Sequence, residues 1–508
     1  MTPRILLTLV ALLASTSTAH ALEFHLVDDK INAFFTPLSA TALEIMFYSV
    51  PIAGVNFPLI VGWLVLAATV FTIYFKFVQF RKIGHSFAIL RGDYDKPGEA
   101  GEISHFKALT TALSGTVGLG NIAGVAVAVS LGGPGATFWM IVAGLLGMST
   151  KFAEATLGVK YRHINPDGTI SGGPMYYLTK GFAERGLGGV GKILAIMFAV
   201  CCIGGAIGGG NMFQVNQSFD QFVAVTGGAE SFLADKGWLF GLIVAAIIGS
   251  VIIGGIKSIA NVTSRLVPLM AVLYLGAGLV ILAINYDHIG WAIGEIFAGA
   301  FTGEGVVGGV IGALIVGFQR AAFSNEAGIG SAAIAHAAVK TDEPVTQGYV
   351  AMLGPFFDTV VVCAMTALII VVSEVHLTDL TGVQLTSAAF ETVLPWFPVL
   401  LTVAVILFAL STAIAWFYFG LKSWTYLVGE GHKKDLCFKI IFCAFTVVGA
   451  SADLAPVIDF SDVMIFAMSV PNVIGLYLLM PVVKEEIEKY WQKMATGEIT
   501  SNRQAFAT

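Results

Sequence analysis

The chain has 508 residues, 56% hydrophobic and 12% charged, with a net charge of −6. Soluble domains carry about 25% charged residues, so this composition excludes an ordinary soluble domain and predicts an all-α integral membrane protein whose first partner is the lipid bilayer. No basic tract points to nucleic acid, and 58 glycines suit helices packed closely in lipid.

Residues 1–21 read as a secretory signal peptide, with Arg4 as a positive start, an apolar core over 5–14 and Ala19-His20-Ala21 as a small-residue cleavage site. The core is too short to span a bilayer comfortably; an uncleaved amphipathic segment is the alternative. Residues 22–56 are expected as a periplasmic segment, 57–483 as the transmembrane domain and 484–508 as a cytoplasmic tail. Within the domain, apolar runs predict spans at 57–75, two in 108–150 separated at Gly132-Gly133-Pro134-Gly135, then 193–219, 237–256, 266–286, 305–339, 348–373, 392–421, a short one after Lys439, and 463–483. That makes about eleven transmembrane helices. Arg81, Lys82, Lys160, Arg162, Lys257, Lys340 and Lys434 fall in alternate loops, and the other loops are acidic. By the positive-inside rule the basic side is cytoplasmic, which places the N-terminus in the periplasm and the protein in a bacterial inner membrane. Cys201, Cys202, Cys363, Cys437 and Cys443 are odd in number and form no Cys-x-x-Cys, so they read as small apolar residues.

The second span carries Leu113-Ser114-Gly115-Thr116-Val117-Gly118-Leu119-Gly120-Asn121. A glycine costs a helix interior about 1 kcal/mol against alanine, and backbone groups freed in lipid must find new partners. Gly118 and Gly120 therefore predict an opened helix, with small-residue packing as the alternative. The seventh span is interrupted between Phe318 and Gly330, its register open between Phe318 and Phe323. Five spans separate the two breaks. Since five is odd, they occupy matching positions in inverted five-helix repeats, where transporters bind substrate. Opened N–H groups attract a carboxylate and opened carbonyls a cation, which together match a small zwitterion. Thr116, Asn121, Ser411 and Thr412 add oxygen donors for a hard ion such as sodium, although the two hydroxyls of 411 and 412 have the alternative of bonding back to the preceding turn. Gln214 and Asn216 are polar inside a span and either touch substrate or bond structurally. Trp416 lies one turn from Thr412 and faces the same way; an interfacial aromatic belt is its other reading. Arg320 with Glu326 is a gate or a clamp, Asp358 an ion ligand or a structural pair, Lys151 with Glu154 a salt-bridged helix end, and His336 a satisfied polar contact.

Three stretches resemble the alanine or glycine:cation symporter family: 112–125 continuing to Lys151-Phe152-Ala153-Glu154-Ala155, 320–330 continuing to Lys340-Thr341-Asp342, and Phe408-Ala409-Leu410-Ser411-Thr412 with Trp416 and Gly420. Ala321 and Ala322 depart from a usual Gly-Leu pair, and the signal-like extension is not general in that family. The resemblance implies sodium- or proton-coupled uptake of alanine or glycine on the inverted-repeat fold of the leucine transporter. It implies that amides near Leu119 and Gly120 hold the substrate carboxylate, with Thr116, Asn121 and Gln214 beside it and Phe318 or Phe323 across the second break. It also implies that carbonyls of Ser114 and Val117, with Ser411 and Thr412, hold sodium as the coupling ion, and that Trp416 caps a small pocket. A channel is disfavoured because it wants repeated pore-lining rings, and an intramembrane enzyme because no nucleophile–base or metal-ligand spacing such as His-Glu-x-x-His occurs.

Overall fold

The computed structural model describes residues 41–52, 54–302 and 309–502. The expected signal peptide and most of the segment after it lie outside these residues. A two-stranded hairpin, Ser49–Ile52 paired with Val55–Pro58, leads into the first helix, Leu59–Tyr74. Each expected span corresponds to a helix or a pair of helices. By length and composition six are able to cross a membrane, seven when the bent pair His105–Thr116 and Leu119–Gly132 counts as one. Leu59–Tyr74 and Gly237–Ile252 have 16 residues each, about 24 Å of helix against about 30 Å of hydrocarbon.

The main departures from expectation fall where charged residues suggest a loop. The sixth span begins at Gly255 and carries Lys257 and Arg265 inside a helix running to Ile284. The last helix runs from Leu454 to Thr496, 43 residues, so the expected tail continues the span without a break. On the acidic side, two stretches taken as loops form the amphipathic helices Ile289–Phe301 and Gly382–Glu391.

The core is built around Gly135–Lys160. From Gly147 to Val159 every residue of this helix is buried, as befits a helix enclosed on all sides. Glycine makes the enclosure possible. A Cβ on Gly135 would lie 2.1 Å from the Gly299 carbonyl carbon, and one on Gly317 would lie 2.6 Å from the Ala136 oxygen. Backbone touches backbone at both places, the close approach that small residues permit between membrane helices.

Because backbone cannot step aside as a side chain does, Gly135→Ala is expected to lower the unfolding temperature of the purified protein, with an overpacking cost of about 1–3 kcal/mol. Gly294→Ala, with nothing within 4 Å of the added carbon, is expected to leave it unchanged in the same thermal-shift measurement.

Candidate functional site

The second span opens where its glycines fall. His105–Thr116 ends at Val117, Gly118 is extended at φ −139° and ψ −153°, and a single tight turn, Leu119–Asn121, precedes Ala123–Gly132. The two halves meet at 60°. Space makes glycine necessary at 118: an added Cβ would sit 2.5 Å from Thr412 Oγ1 and 3.1 Å from Gln214 Oε1. The freed amides are bonded again by side chains. Gly118 N–H donates to Asn121 Oδ1 at 2.9 Å, and Leu119 N–H donates to Gln214 Oε1 at 3.1 Å. Gln214 is aimed there by a wide π-helical turn over Gly208–Met212, and its amide donates to Gly209 O at 2.9 Å. The glycines of that turn make room for Trp416, whose ring would collide with a Cβ on Gly210 at 2.3 Å.

The second break begins later than the sequence suggests. Gly309–Asn325 is one uninterrupted helix, so Phe318 and Phe323 both lie within it. Opening starts at Glu326, held left-handed at φ +55°, and Gly328 and Gly330 follow at φ +89° and +91° before Ala332–His336 resumes. Asn325 starts the turn by accepting from Ala327 N–H at 2.9 Å, the local bond that favours asparagine in turns. Gly328 N–H donates to Glu154 Oε1 at 2.9 Å, and Asn472 donates to Glu154 Oε1 and to Gly328 O, each at 2.8 Å. Tyr177 in turn donates to Asn472. Lys151 and Glu154 are therefore no helix-end pair; both are buried against this break, with Lys151 Nζ 3.9 Å from Glu154 Oε2 and without a hydrogen bond among the described residues.

Arg320 does not pair with Glu326. It reaches Asp462 on the last helix at 2.7 Å, while Glu326 accepts from Ser331 and, at 3.1 Å, from Trp416 Nε1. The same indole nitrogen donates to Gly115 O at 3.2 Å, so Trp416 ties the starts of the two breaks together. His336 is satisfied by Gln347.

The two breaks are joined through Asp358, on a second wide turn over Phe356–Cys363. Its carboxylate accepts from Asn121 Nδ2 at 2.9 Å, Ser324 Oγ at 2.8 Å and Thr359 Oγ1 at 2.8 Å. Of the hydroxyls singled out by the sequence, three are occupied. Thr116 bonds back to Leu113 O at 3.3 Å, Ser411 to Phe408 O at 2.9 Å, and Ser114 donates to Ser411 O at 2.6 Å. Thr412 Oγ1 is buried against Gly118 with no hydrogen bond among the described residues.

A cavity of about 360 Å³ leads toward this centre, lined by Gly124, Asp220, Arg320, Gly382 and the rings of Phe213 and Phe323. The two rings close its floor edge to face, 5.7 Å apart. Gly120 lies just beyond, where an added Cβ would be 3.5 Å from the Phe323 ring. Phe318 stands about 10 Å before the break along the helix and is not brought to it. Asp358, read from the sequence as an ion ligand or a structural pair, is here bonded within the network, while Ser324, Asn472 and Tyr177 are polar groups whose place in it the sequence did not reveal.

Two helices opened side by side in a buried bundle, at matching positions of inverted repeats, define a multi-pass membrane transporter of the leucine-transporter type. The crystal structure of MhsT in complex with L-phenylalanine shares this fold, with a TM-score of 0.54 at 16% identity over 75% of this chain and 89% of that one. The chain belongs to the sodium:alanine symporter family, whose model matches residues 43–504. It is 43% identical to the sodium/alanine symporter AgcS of Methanococcus maripaludis over 82% of this chain and 91% of that protein. It is 32% identical to the probable sodium/glutamine symporter GlnT of Bacillus subtilis over 84% and 87% of the two chains.

Removing the carboxylate takes the shared acceptor from three buried donors and leaves Asn121 and Ser324 only the longer contacts to Asp358 O and Cys363 Sγ, a loss of about 1–3 kcal/mol for each donor left unpaired. Asp358→Ala is thus expected to lower the unfolding temperature by more than Ser324→Ala, which removes one donor to that carboxylate, and Asp358→Asn to recover part of the difference.

Proposed function

We propose that this protein is a sodium-coupled symporter that imports alanine, glycine or a similar small neutral amino acid across the inner membrane by alternating access. The observation that carries the reading is Thr412 Oγ1, an oxygen buried against the opened backbone at Gly118 with no hydrogen bond among the described residues. A buried hydroxyl without a partner is costly, and a hard cation relieves that cost. Carbonyls of Ser114 and Val117, at a helix end where the last carbonyls lack partners within the helix, complete the oxygen set with Thr412. Ser411 joins them by turning its hydroxyl away from Phe408 O. The substrate carboxylate takes the amides at Leu119 and Gly120, displacing the carboxamide oxygen of Gln214 from Leu119 N–H. Thr116 and Asn121 stand beside it, Phe323 covers it from the cavity side, and Trp416 bounds the pocket from the opposite half. The name of the Methanococcus relative supports alanine and sodium.

Proton coupling is the second reading, favoured by Lys151, Glu154 and Glu326, charged side chains buried beside the second break. A channel is poorly supported, since it wants repeated pore-lining rings and the described residues carry a single pair of breaks.

Uptake of labelled alanine into proteoliposomes separates the readings. Under the leading one, uptake requires an inward sodium gradient, and Thr412→Val needs about tenfold more sodium for half-maximal rate, equivalent to about 1.4 kcal/mol. Uptake driven by a proton gradient without sodium rejects it in favour of the second. Gly118→Ala is expected to cut uptake at least about tenfold, because its methyl occupies the space facing Thr412. Gly276→Ala, on the outer side of the helix Gly255–Ile284 with nothing within 4 Å of the added carbon, is expected to transport like the parent.

A further inference from the structure

A second cavity, of about 290 Å³, lies far from the breaks, between the end of Leu59–Tyr74 and the continuation of the last helix beyond Val483. The chain makes it by turning sharply. Lys76 and Phe77 are both left-handed at φ +55°, which lays Val78–Arg81 and Ile83–Leu90 across the end of the bundle. The cations Lys76, Arg81, Lys82 and Lys484 line the cavity with Glu488 as the one carboxylate. Glu488 is 3.9 Å from Lys484. Neither the Lys76 nor the Arg81 side chain has an acidic or hydrogen-bonding partner among the described residues. Lys82 sits with its ammonium 3.5 Å over the ring of Trp491, whose indole is fixed by a 2.8 Å bond to Tyr349. Burial and the adjacent Arg81 hold the Lys82 ammonium below the usual lysine range, which a bound anion would reverse.

The surroundings decide what kind of anion fits. Phe75, Val78 and Ile487 form an apolar wall beside the cations, and the rings of Phe77 and Phe80 are exposed at the same end, 50% and 56%. Exposed aromatic rings at the end of a membrane helix sit at headgroup level, and basic pockets between such helices hold lipid phosphates. We propose that this cavity binds the phosphate-bearing headgroup of an anionic phospholipid, its acyl chains lying along the outside of Leu59–Tyr74. The phosphate is held by Arg81 and Lys82, with Lys76 and Lys484 at the rim.

The test uses the purified full-length protein in detergent, with fluorescent phosphatidylglycerol as probe and unlabelled phosphatidylglycerol, phosphatidylcholine or inorganic phosphate as competitor. The expected result is saturable binding displaced by phosphatidylglycerol but not by phosphatidylcholine, and weakened at least about tenfold in Arg81→Gln/Lys82→Gln. Displacement by inorganic phosphate at equal concentration would make this a free-phosphate site and overturn the lipid assignment. Equal displacement by phosphatidylcholine, or equal binding by parent and variant, would overturn the site. Should the double variant elute as aggregate, Arg81→Gln alone removes an exposed side chain without a bonded partner, and a several-fold loss there is the expected outcome.

Discussion

Opening a helix in the middle of a membrane protein sets a strict condition: every amide and carbonyl that is released must be bonded again by the protein itself, because the bilayer offers no water. Much of the polar chemistry of this chain answers that condition. Asn121 and Gln214 cover the amides of the first break, and Glu154 and Asn472 cover the amide and carbonyl of Gly328 in the second. Asp358 then binds the two repairs into one network through Asn121 and Ser324. The wide turns at Gly208–Met212 and Phe356–Cys363 serve the same end, since a wider helical turn re-aims the side chains that reach the breaks.

The two repairs differ in kind. At the first break the covering groups are neutral carboxamides, and one oxygen, Thr412 Oγ1, is left over. At the second, ionisable side chains are locked together in a dry interior, where unpaired charge is most costly. The first break is thus the one whose partners a solute exchanges most cheaply, while the second is held by groups that are expensive to separate. Lys151 belongs to this second set and balances Glu154 across 3.9 Å.

How far the sequence foretold this depends on the range of the forces involved. Gly118 and Gly120 announced the first break because a local cost in helix propensity needs only neighbouring residues to be seen. The paired breaks were legible from apolar runs and their spacing, whereas the leucine-transporter-like fold came from the family resemblance carried by 112–125, 320–330 and 408–420. The register of the second break, open in the sequence between Phe318 and Phe323, is settled later in the chain because its opening depends on left-handed backbone at Glu326, and a non-glycine residue gives no sign of that conformation in advance. Arg320 was matched to the nearest carboxylate in sequence, Glu326, whereas its partner Asp462 arrives from the last helix. Ile289–Phe301 reads as an acidic loop because Asp287, Glu295 and Glu304 mark the stretch and its 13 residues are too few to read as a span. Ser411 and Thr412 looked alike, and only their rotation about the Phe397–Val428 helix separates a hydroxyl bonded to its own turn from one facing Gly118.

The final helix also has a mechanical meaning. Leu454–Thr496 carries Asp462, which holds Arg320 beside the cavity floor, and Asn472, which holds Gly328 and Glu154 within the second break. These anchors lie about 15 Å apart along the axis. Further on, Glu486 meets Lys160 and Lys493 meets Glu343. One rod is therefore pinned at four depths, and a slide that pulls on any pin loads the others. Pro471 falls between the first two pins, next to Asn472, where its missing N–H leaves the helix free to flex. The rod is jointed where its ends must be allowed to move out of step.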